Sequence, residues 1–383
     1  MSNLTHRIIT DVIKSQGVYT PLHIPIFDER EIELVRECVE SNFVSSVGAF
    51  CERFETALID YTGAKRAVLT VNGTSALHLS LLLAGVEADD EVLIPSFTFV
   101  ATANAVRYCR AIPHFIEIEE RALGVDVRKL SDWLETSADF REDGLWNKFT
   151  GRRIRCIVPM HTYGHAVNMD ALGIVAAQFG LVVVEDAAES LGSYYKERHT
   201  GNDSLCAAIS FNGNKIITTG GGGAILTNDD DLADRARHLS TTAKIPHSWE
   251  MSHDAVGFNY RMPALNAALG CAQIEKLPNF IAKKRALAQR YKVAFEQVDG
   301  VRFLSEPEWA TSNYWLNTLV LDDDSGEAQE GFLMRANSGG LMTRPAWTPL
   351  HMLSLFSDCP KMDLRITESM ARRVVNIPST ASL

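Results

Sequence analysis

The sequence predicts an α/β protein, a mostly parallel seven-stranded sheet with crossover helices followed by a smaller C-terminal α+β part. Three observations carry this reading. Short runs rich in Val and Ile recur through most of the first 240 residues; helical patterns fill the gaps between them; and after about residue 250 long helical stretches replace the alternation.

The strands are expected at Arg66–Val71, Glu91–Pro95, Ile112–Ile118, Ile154–Pro159, Leu181–Glu185, Cys206–Phe211 and Gly223–Thr227. Between them lie helices at Ser75–Ala84, Val100–Tyr108, Met169–Phe179 and Asp230–Thr241, the last opening on acidic residues that suit a helix N-terminus. Ser131–Gly151 falls between strands and reads as a surface excursion. Beyond it come helical stretches at Ala264–Leu277 and from Asn279 to about Val298, a strand at Tyr314–Leu321, an exposed turn at Asp322–Gln329 and a last helix at Leu364–Val375. The division expected is an N-terminal arm (1–30), a large ligand-binding domain (31–250) and a small C-terminal domain (251–383).

The length of 383 residues suits two domains, and 46% hydrophobic with 22% charged residues is the composition of an ordinary soluble globular chain. A net charge of −11 argues against a general nucleic-acid binder, which needs Lys and Arg to displace counterions. The seven cysteines form no CxxC or CxxH pair, MSNLTHRIITDVIKSQG lacks the apolar core of a signal peptide, and no apolar run approaches the ~18–20 residues of a membrane span. A cytoplasmic protein is expected.

Three segments can carry chemistry. In Arg66–Val71 followed by Asn72-Gly73-Thr74-Ser75-Ala76-Leu77, a strand turns through small residues into a helix, whose unpaired first N–H groups either cradle a phosphate or are capped by Thr74 or Ser75. In LVVVED, Asp186 ends a buried strand, where it serves a metal, a cationic ring nitrogen or the next helix as a cap. In AISFNGNK, Lys215 lies between a Ser/Asn/Gly turn and the run Gly220–Gly223, glycines that permit positive φ and close approach of backbone to a ligand. The order of a P-loop is absent, because these glycines follow the lysine and Ile216 stands where a hydroxyl residue belongs. A Schiff-base lysine, a carboxylate at a strand end and a phosphate cradle are together the parts a pyridoxal 5′-phosphate (PLP) enzyme needs.

These residues resemble the DegT/DnrJ/EryC1/StrS family of PLP-dependent nucleotide-sugar aminotransferases, with an aspartate aminotransferase-like (fold type I) core. The resemblance runs from about Pro25 to Pro378, through VNGTSALHLSLLLAGV, PSFTFVATANAV, VPMHTYGH, VEDAAESLGSYYK, SFNGNKIITTGGGGAILTND, GFNYRMPALNAALG and SNYWLN. Within the family they are similar to the branch acting on UDP-linked 4-keto-6-deoxy-N-acetylhexosamines, as in legionaminic acid or bacillosamine synthesis. The resemblance implies Lys215 as the Schiff-base lysine and proton carrier, and Asp186 as partner of the pyridinium. Thr74, Ser75 and Ser210 would hold the phosphate, with Gly73 and Asn212 beside them, and Phe99 would stack on the ring. Asn259 would reach the phosphate of the other subunit's cofactor in a homodimer, with Arg261 assisting at that interface or the substrate. His165 and His351 would line the sugar site, while Tyr314 and Trp315 fit an apolar strand face as well.

Two positions depart from the wider family. Glu189 stands where Gln is common, near the cofactor's phenolic oxygen, and is expected to be protonated or turned toward solvent or substrate. Asn212 stands in SFNGNK, where many members read SFHPTK. Lys215 separates the chain from the sugar dehydratases, in which histidine replaces it. The implied reaction moves an amino group from L-glutamate to the 4-keto carbon of a nucleotide sugar for surface polysaccharide synthesis. A sugar dehydratase and a non-catalytic cofactor or sugar-nucleotide sensor are the alternatives, and a nicotinamide dehydrogenase lacks its G-x-G-x-x-G.

Overall fold

The computed structural model describes residues 2–14 and 19–383; residues 1 and 15–18 of the expected arm lie outside the described residues. Helices α1 (Ser2–Ile13), α2 (Glu29–Glu40) and α3 (Ala49–Thr62) precede the sheet. Asp28 and Glu31 start α2 with a reciprocal capping box.

The core alternates strand and helix: β1 (Arg66–Thr70), α4 (Gly73–Leu83), β2 (Glu91–Pro95), α5 (Val100–Tyr108), β3 (Ile112–Ile116), α6 (Val127–Ser137), β4 (Ala138–Arg141), β5 (Gly144–Asn147), β6 (Arg153–Ile157), α7 (Met169–Phe179) and β7 (Val182–Asp186). Two short strands, β8 (Tyr194–Tyr195) and β9 (Arg198–His199), lead to β10 (Cys206–Ser210), β11 (Gly223–Thr227) and α8 (Asp230–Ser240). The large sheet runs β1-β11-β10-β7-β6-β2-β3. Pairs β10–β7, β7–β6, β6–β2 and β2–β3 are parallel, and β11 is antiparallel to both neighbours. The C-terminal ends of β1, β10, β7, β6 and β2 therefore share one edge, where α/β proteins place their ligands.

All seven expected strands form. The segment read as a surface excursion is instead the end of α6 and a hairpin, β4–β5, that joins the sheet through β6 and brings it to nine strands. Its outer strand is exposed, which hides the pairing in the sequence, while buried Asn147 donates through its amide to Glu91 (2.9 Å).

The two helical stretches after residue 250 are one 32-residue helix, α9 (Ala264–Phe295), with Pro278 inside it. Proline withholds one N–H and ordinarily breaks a helix. Here buried side chains on both sides, among them Leu277 and Phe280, hold the axis through it. The first half of α9 packs Ala267 and Cys271 against Leu69 and Ile209 of the large sheet. Its last turns pack Leu287, Tyr291 and Phe295 into a second core with Ile9 of α1 and residues of a smaller sheet. That sheet comprises β12 (Val301–Phe303), β14 (Asn317–Leu321), β15 (Arg344–Pro345) and β16 (Val374–Ile377), in the order β12-β14-β16-β15, while β13 (Ala310–Thr311) pairs with β8. Tyr314 has φ +46°, so the extended backbone begins at Asn317 rather than at Tyr314. The expected turn at Asp322–Gln329 is cut short by α10 (Glu327–Ser338), and the last helix is α11 (Arg365–Arg373). No helix among the described residues is long and apolar enough to cross a membrane.

Phe54 of α3 is fully buried, with its ring 5.1 Å from that of Phe211 just after β10. Gly270 of α9 leaves room for it, since a Cβ there would come 2.5 Å from the Phe54 ring. Phe54→Ala is expected to lower the unfolding free energy by about 3–5 kcal/mol, read from urea denaturation.

Candidate active site

At the shared strand edge lies a cavity of about 400 Å³, lined among others by Gly73, Thr74, Phe99, Asp186, Glu189, Ser210, Asn212 and Lys215. Asn72, in extended conformation, caps α4 by accepting the Ser75 N–H on Oδ1 (2.7 Å). The N–H groups of Gly73 and Thr74, at the cavity wall, have no partner among the described residues, and the positive end of the α4 dipole adds to their pull on an anion. Two close approaches shape this turn. A Cβ on Gly73 would lie 2.9 Å from the Cβ of Ser210, and a Cβ on Gly223 would lie 2.6 Å from the carbonyl carbon and oxygen of Asn72. The glycine run thus acts differently from the expectation at this position: Gly223 lets β11 approach the backbone of the turn rather than a ligand. Gly220 does take positive φ (+78°).

Successive side chains of a strand point to opposite faces, and the two carboxylates ending β7 separate accordingly. Glu185 turns away from the cavity and accepts from His161 Nε2 (2.7 Å), the Gly201 N–H (2.8 Å) and Ser204 Oγ (2.8 Å). His161 Nδ1 accepts the Val167 N–H (3.2 Å), which places the ring proton on Nε2. Burial acts to raise the Glu185 carboxyl, but these hydrogen bonds outweigh it and the group titrates below its ordinary value. Asp186 faces the cavity and accepts from Thr102 Oγ1 (2.7 Å) and the Ala188 N–H (3.2 Å). Burial pushes its carboxyl up, and Thr102, Ala188 and Lys215 only partly offset that. A cation beside Asp186 would restore its charge.

Lys215 follows the turn after β10, its N–H donating to the Asn212 carbonyl (2.9 Å). Its Nζ lies 3.2 Å from Glu189 Oε1 and 4.1 Å from the centre of the Trp315 ring. Glu189 Oε2 accepts the Tyr163 N–H (3.0 Å). Glu189 is buried and turned toward the lysine, not toward solvent, and burial pushes its carboxyl up to about 7 although Lys215 and the Tyr163 N–H pull it down.

Five expected site residues do not line this cavity. Ser75 is buried behind the turn. His165 is fully buried, edge-on to Tyr314 (5.3 Å), off the cavity wall, and burial lowers its titration to about 4. His351 is held between Ser96 Oγ (2.8 Å) and Glu368 (3.1 Å), also off the cavity wall. Asn259 is exposed and bridges to Thr241, and Arg261 pairs its backbone with Thr70. Phe99 is 51% exposed at the cavity mouth, which excludes a plain core role. The sequence reading missed Thr102, Met160, Asn214 and Trp347. Thr102 lies within the quoted PSFTFVATANAV, whereas Trp347 carried no local signal and meets the site only through the fold.

The residues present fit PLP: a phosphate-sized cradle closed by Gly73 and Ser210, a buried carboxylate for a cationic ring nitrogen, and an amine for an aldehyde. Among the described residues no group of three or more His, Cys, Asp or Glu is placed to hold a metal ion. Gly223→Ala, which forces β11 from the Asn72 turn, is expected to cost about 1–3 kcal/mol of stability and to weaken PLP binding, measured by urea unfolding and by absorbance titration. The raised Glu189 carboxyl binds its proton more tightly in the folded than in the unfolded chain. In cofactor-free protein its contribution is therefore full below about pH 4.5 and is lost as pH rises through about 7, a change of about 3 kcal/mol. Glu189→Gln removes that slope, and an unchanged pH–stability curve would refute the assignment.

The GDP-perosamine synthase of Caulobacter vibrioides is 35% identical to this chain over 364 residues, covering 94% of this chain and 92% of that protein. The GDP-perosamine synthase of Escherichia coli O157:H7 is 33% identical over 365 residues, covering 95% and 94%. Helicobacter pylori PseC, an aminotransferase involved in the biosynthesis of pseudoaminic acid, shares the fold with a TM-score of 0.86 at 23% identity, over 95% of each chain. Residues 25–383 match the DegT/DnrJ/EryC1/StrS aminotransferase family. With that match, the fold and the cavity in agreement, the chain belongs to this family and is a PLP-dependent aminotransferase.

Proposed function

We propose that the protein transfers the amino group of L-glutamate to the 4-keto carbon of a nucleotide-linked 4-keto-6-deoxy sugar, in the synthesis of a surface polysaccharide. The observation that carries this is the meeting of Lys215, Asp186 and the start of α4 in one cavity. Two relatives named for a GDP-linked aminosugar support the sugar acceptor.

Bound PLP supplies an electrophilic aldehyde and a cationic ring that stabilises the electrons left by a departing proton. Lys215 would offer the amine that holds PLP and, when free, would act as the base that moves a proton at Nζ. Asp186, fixed by Thr102 and Ala188, would keep the ring nitrogen charged, since a carboxylate at contact is worth roughly 1–3 pKa units. Gly73, Thr74 and Ser210 would hold the phosphate with Asn212 beside them, and Phe99 at the mouth would cover the ring. Trp315 and Trp347 bring the C-terminal part, 251–383, over a cavity otherwise built by residues 31–250, with 1–30 as an arm.

The protein works as a homodimer in this reading. Asn259 does not reach the cavity of its own chain, and its exposed position suits contact with a partner's phosphate. Arg261 next to it has an Nε without a partner among the described residues, and burial and the Arg237 charge lower its affinity for a proton, which an anion from a second chain would reverse. For the acceptor, the resemblance favours UDP-2-acetamido-4-keto-2,6-dideoxyhexose. The GDP-linked sugars named in the two relatives favour a second reading, a GDP-linked acceptor.

Borohydride treatment of PLP-loaded protein followed by peptide mapping is expected to fix the label on Lys215 and to fix none in Lys215→Ala; a label on another lysine refutes the assignment. Glutamate should then discharge the visible absorbance of wild-type protein. Asp186→Asn is expected to slow that step roughly 10- to 1000-fold. Mass and NMR analysis of products from UDP- and GDP-linked 4-keto-6-deoxy sugars decides the nucleotide, and an amine on neither refutes the sugar-acceptor reading.

A further inference from the structure

Lys215 Nζ sits between two groups of opposite kind, the Glu189 carboxylate at 3.2 Å and the face of Trp315 at 4.1 Å. One side chain fixes both. Asn313 donates through Nδ2 to the carbonyls of Glu189 (3.0 Å) and Leu191 (2.9 Å) and accepts the Trp315 N–H on Oδ1 (2.7 Å). The far carboxylate oxygen is fixed as well. Tyr163 (φ +55°) and Gly164 (φ +96°) turn through the left-handed region and direct the Tyr163 N–H at Oε2. A Cβ on Gly164 would strike Asn313 Oδ1 at 1.9 Å, so this turn admits glycine alone while Asn313 stays in place. Three elements distant in sequence thus aim Oε1 at the lysine.

We propose that Glu189 is a positioning residue that shares one proton with Lys215, taking it from Nζ onto Oε1 when the amine must act as a base and returning it afterwards. In that transfer one N–H bond breaks and one O–H bond forms, and an ammonium–carboxylate pair becomes an amine and a neutral acid with no change in total charge. No further reactant is needed. Burial favours the neutral pair, because each ion loses hydration, whereas the Trp315 face favours the ammonium. The charged and titratable groups around the pair are Asp186 from the end of β7, the Tyr163 phenol from the loop after β6, and His23, whose titration burial lowers first and the charges of Lys284 and Lys215 lower further. The tendency of buried Glu189 to keep a proton near neutral pH agrees with the transfer.

The proposal rests on Lys215 being the reactive amine, which the borohydride mapping tests separately. The experiment uses full-length protein loaded with pyridoxamine 5′-phosphate, in which Lys215 is free. It is trace-acetylated with acetic anhydride between pH 5.5 and 11, and the Lys215 peptide is quantified by mass spectrometry. A pair sharing a proton titrates in two macroscopic steps. Wild-type Lys215 is expected to gain reactivity in two well-separated steps, and Glu189→Gln, whose amide oxygen still accepts the Tyr163 N–H, in a single step below the upper wild-type one. A single wild-type step coincident with that of the variant overturns the proposal, because Glu189 then has no hold on the lysine. A single wild-type step displaced upward from the variant also overturns it, because the proton then stays on nitrogen as in a plain ion pair. If Glu189→Gln fails to fold, the number of wild-type steps decides alone.

Discussion

Two backbones that almost touch govern this site. Gly223, at the start of β11, lies so close to Asn72 that any Cβ there would come within 2.6 Å of its carbonyl carbon. Because β11 is hydrogen-bonded to β1 on one side and β10 on the other, that approach fixes the α4 turn relative to the segment carrying Lys215. The segment is itself closed on the sheet, Phe211 donating to the Gly222 carbonyl (2.9 Å) and Thr219 to that of Phe211 (3.0 Å). The α4 turn and the Lys215 loop are therefore parts of one rigid unit, and Phe54 and Gly270 support it from below.

The second constraint is electrostatic. The chain carries a net charge of −11 and still buries carboxylates at its centre. Strand alternation sorts the pair that ends β7, and the turn that follows brings Glu189 to the same side as Asp186. Glu185 goes to a side furnished with donors and stays ionised there, whereas Asp186 and Glu189 go to a side with few, where burial raises both. Such a pocket is poised for a cation.

Much of the cavity was legible because it is built from short segments that each carry their own chemistry. The turn NGTSAL, the end of VVVED and the Lys215 loop are local motifs whose places on the cavity wall follow from strand ends and helix starts. Glu189 was marked as unusual from its position alone, yet its partner was not, since nothing in EDAAES says that its side chain turns to Lys215. His165 and His351 do not line the cavity, and the reason this was not legible is related: a histidine reads the same in sequence whether it faces a cavity or lies in a packed core. The continuous α9 was hidden by Pro278, whose local tendency to end a helix is outweighed by packing on both sides of it. The β4–β5 hairpin was hidden by its polar outer strand.

The sequence by itself determined the seven strands of the large sheet and the helices between most of them, and it marked Lys215 and the turns beside it, since periodicity and turn chemistry act over a few residues. The tertiary structure alone decided what surrounds that amine. Trp315, Trp347, Asn313 and Tyr163 come from segments far apart in the chain, and they gather around Lys215, Glu189 and the cavity only through the path of the whole fold. Contacts of that range depend on the path of the whole chain, which no local pattern encodes.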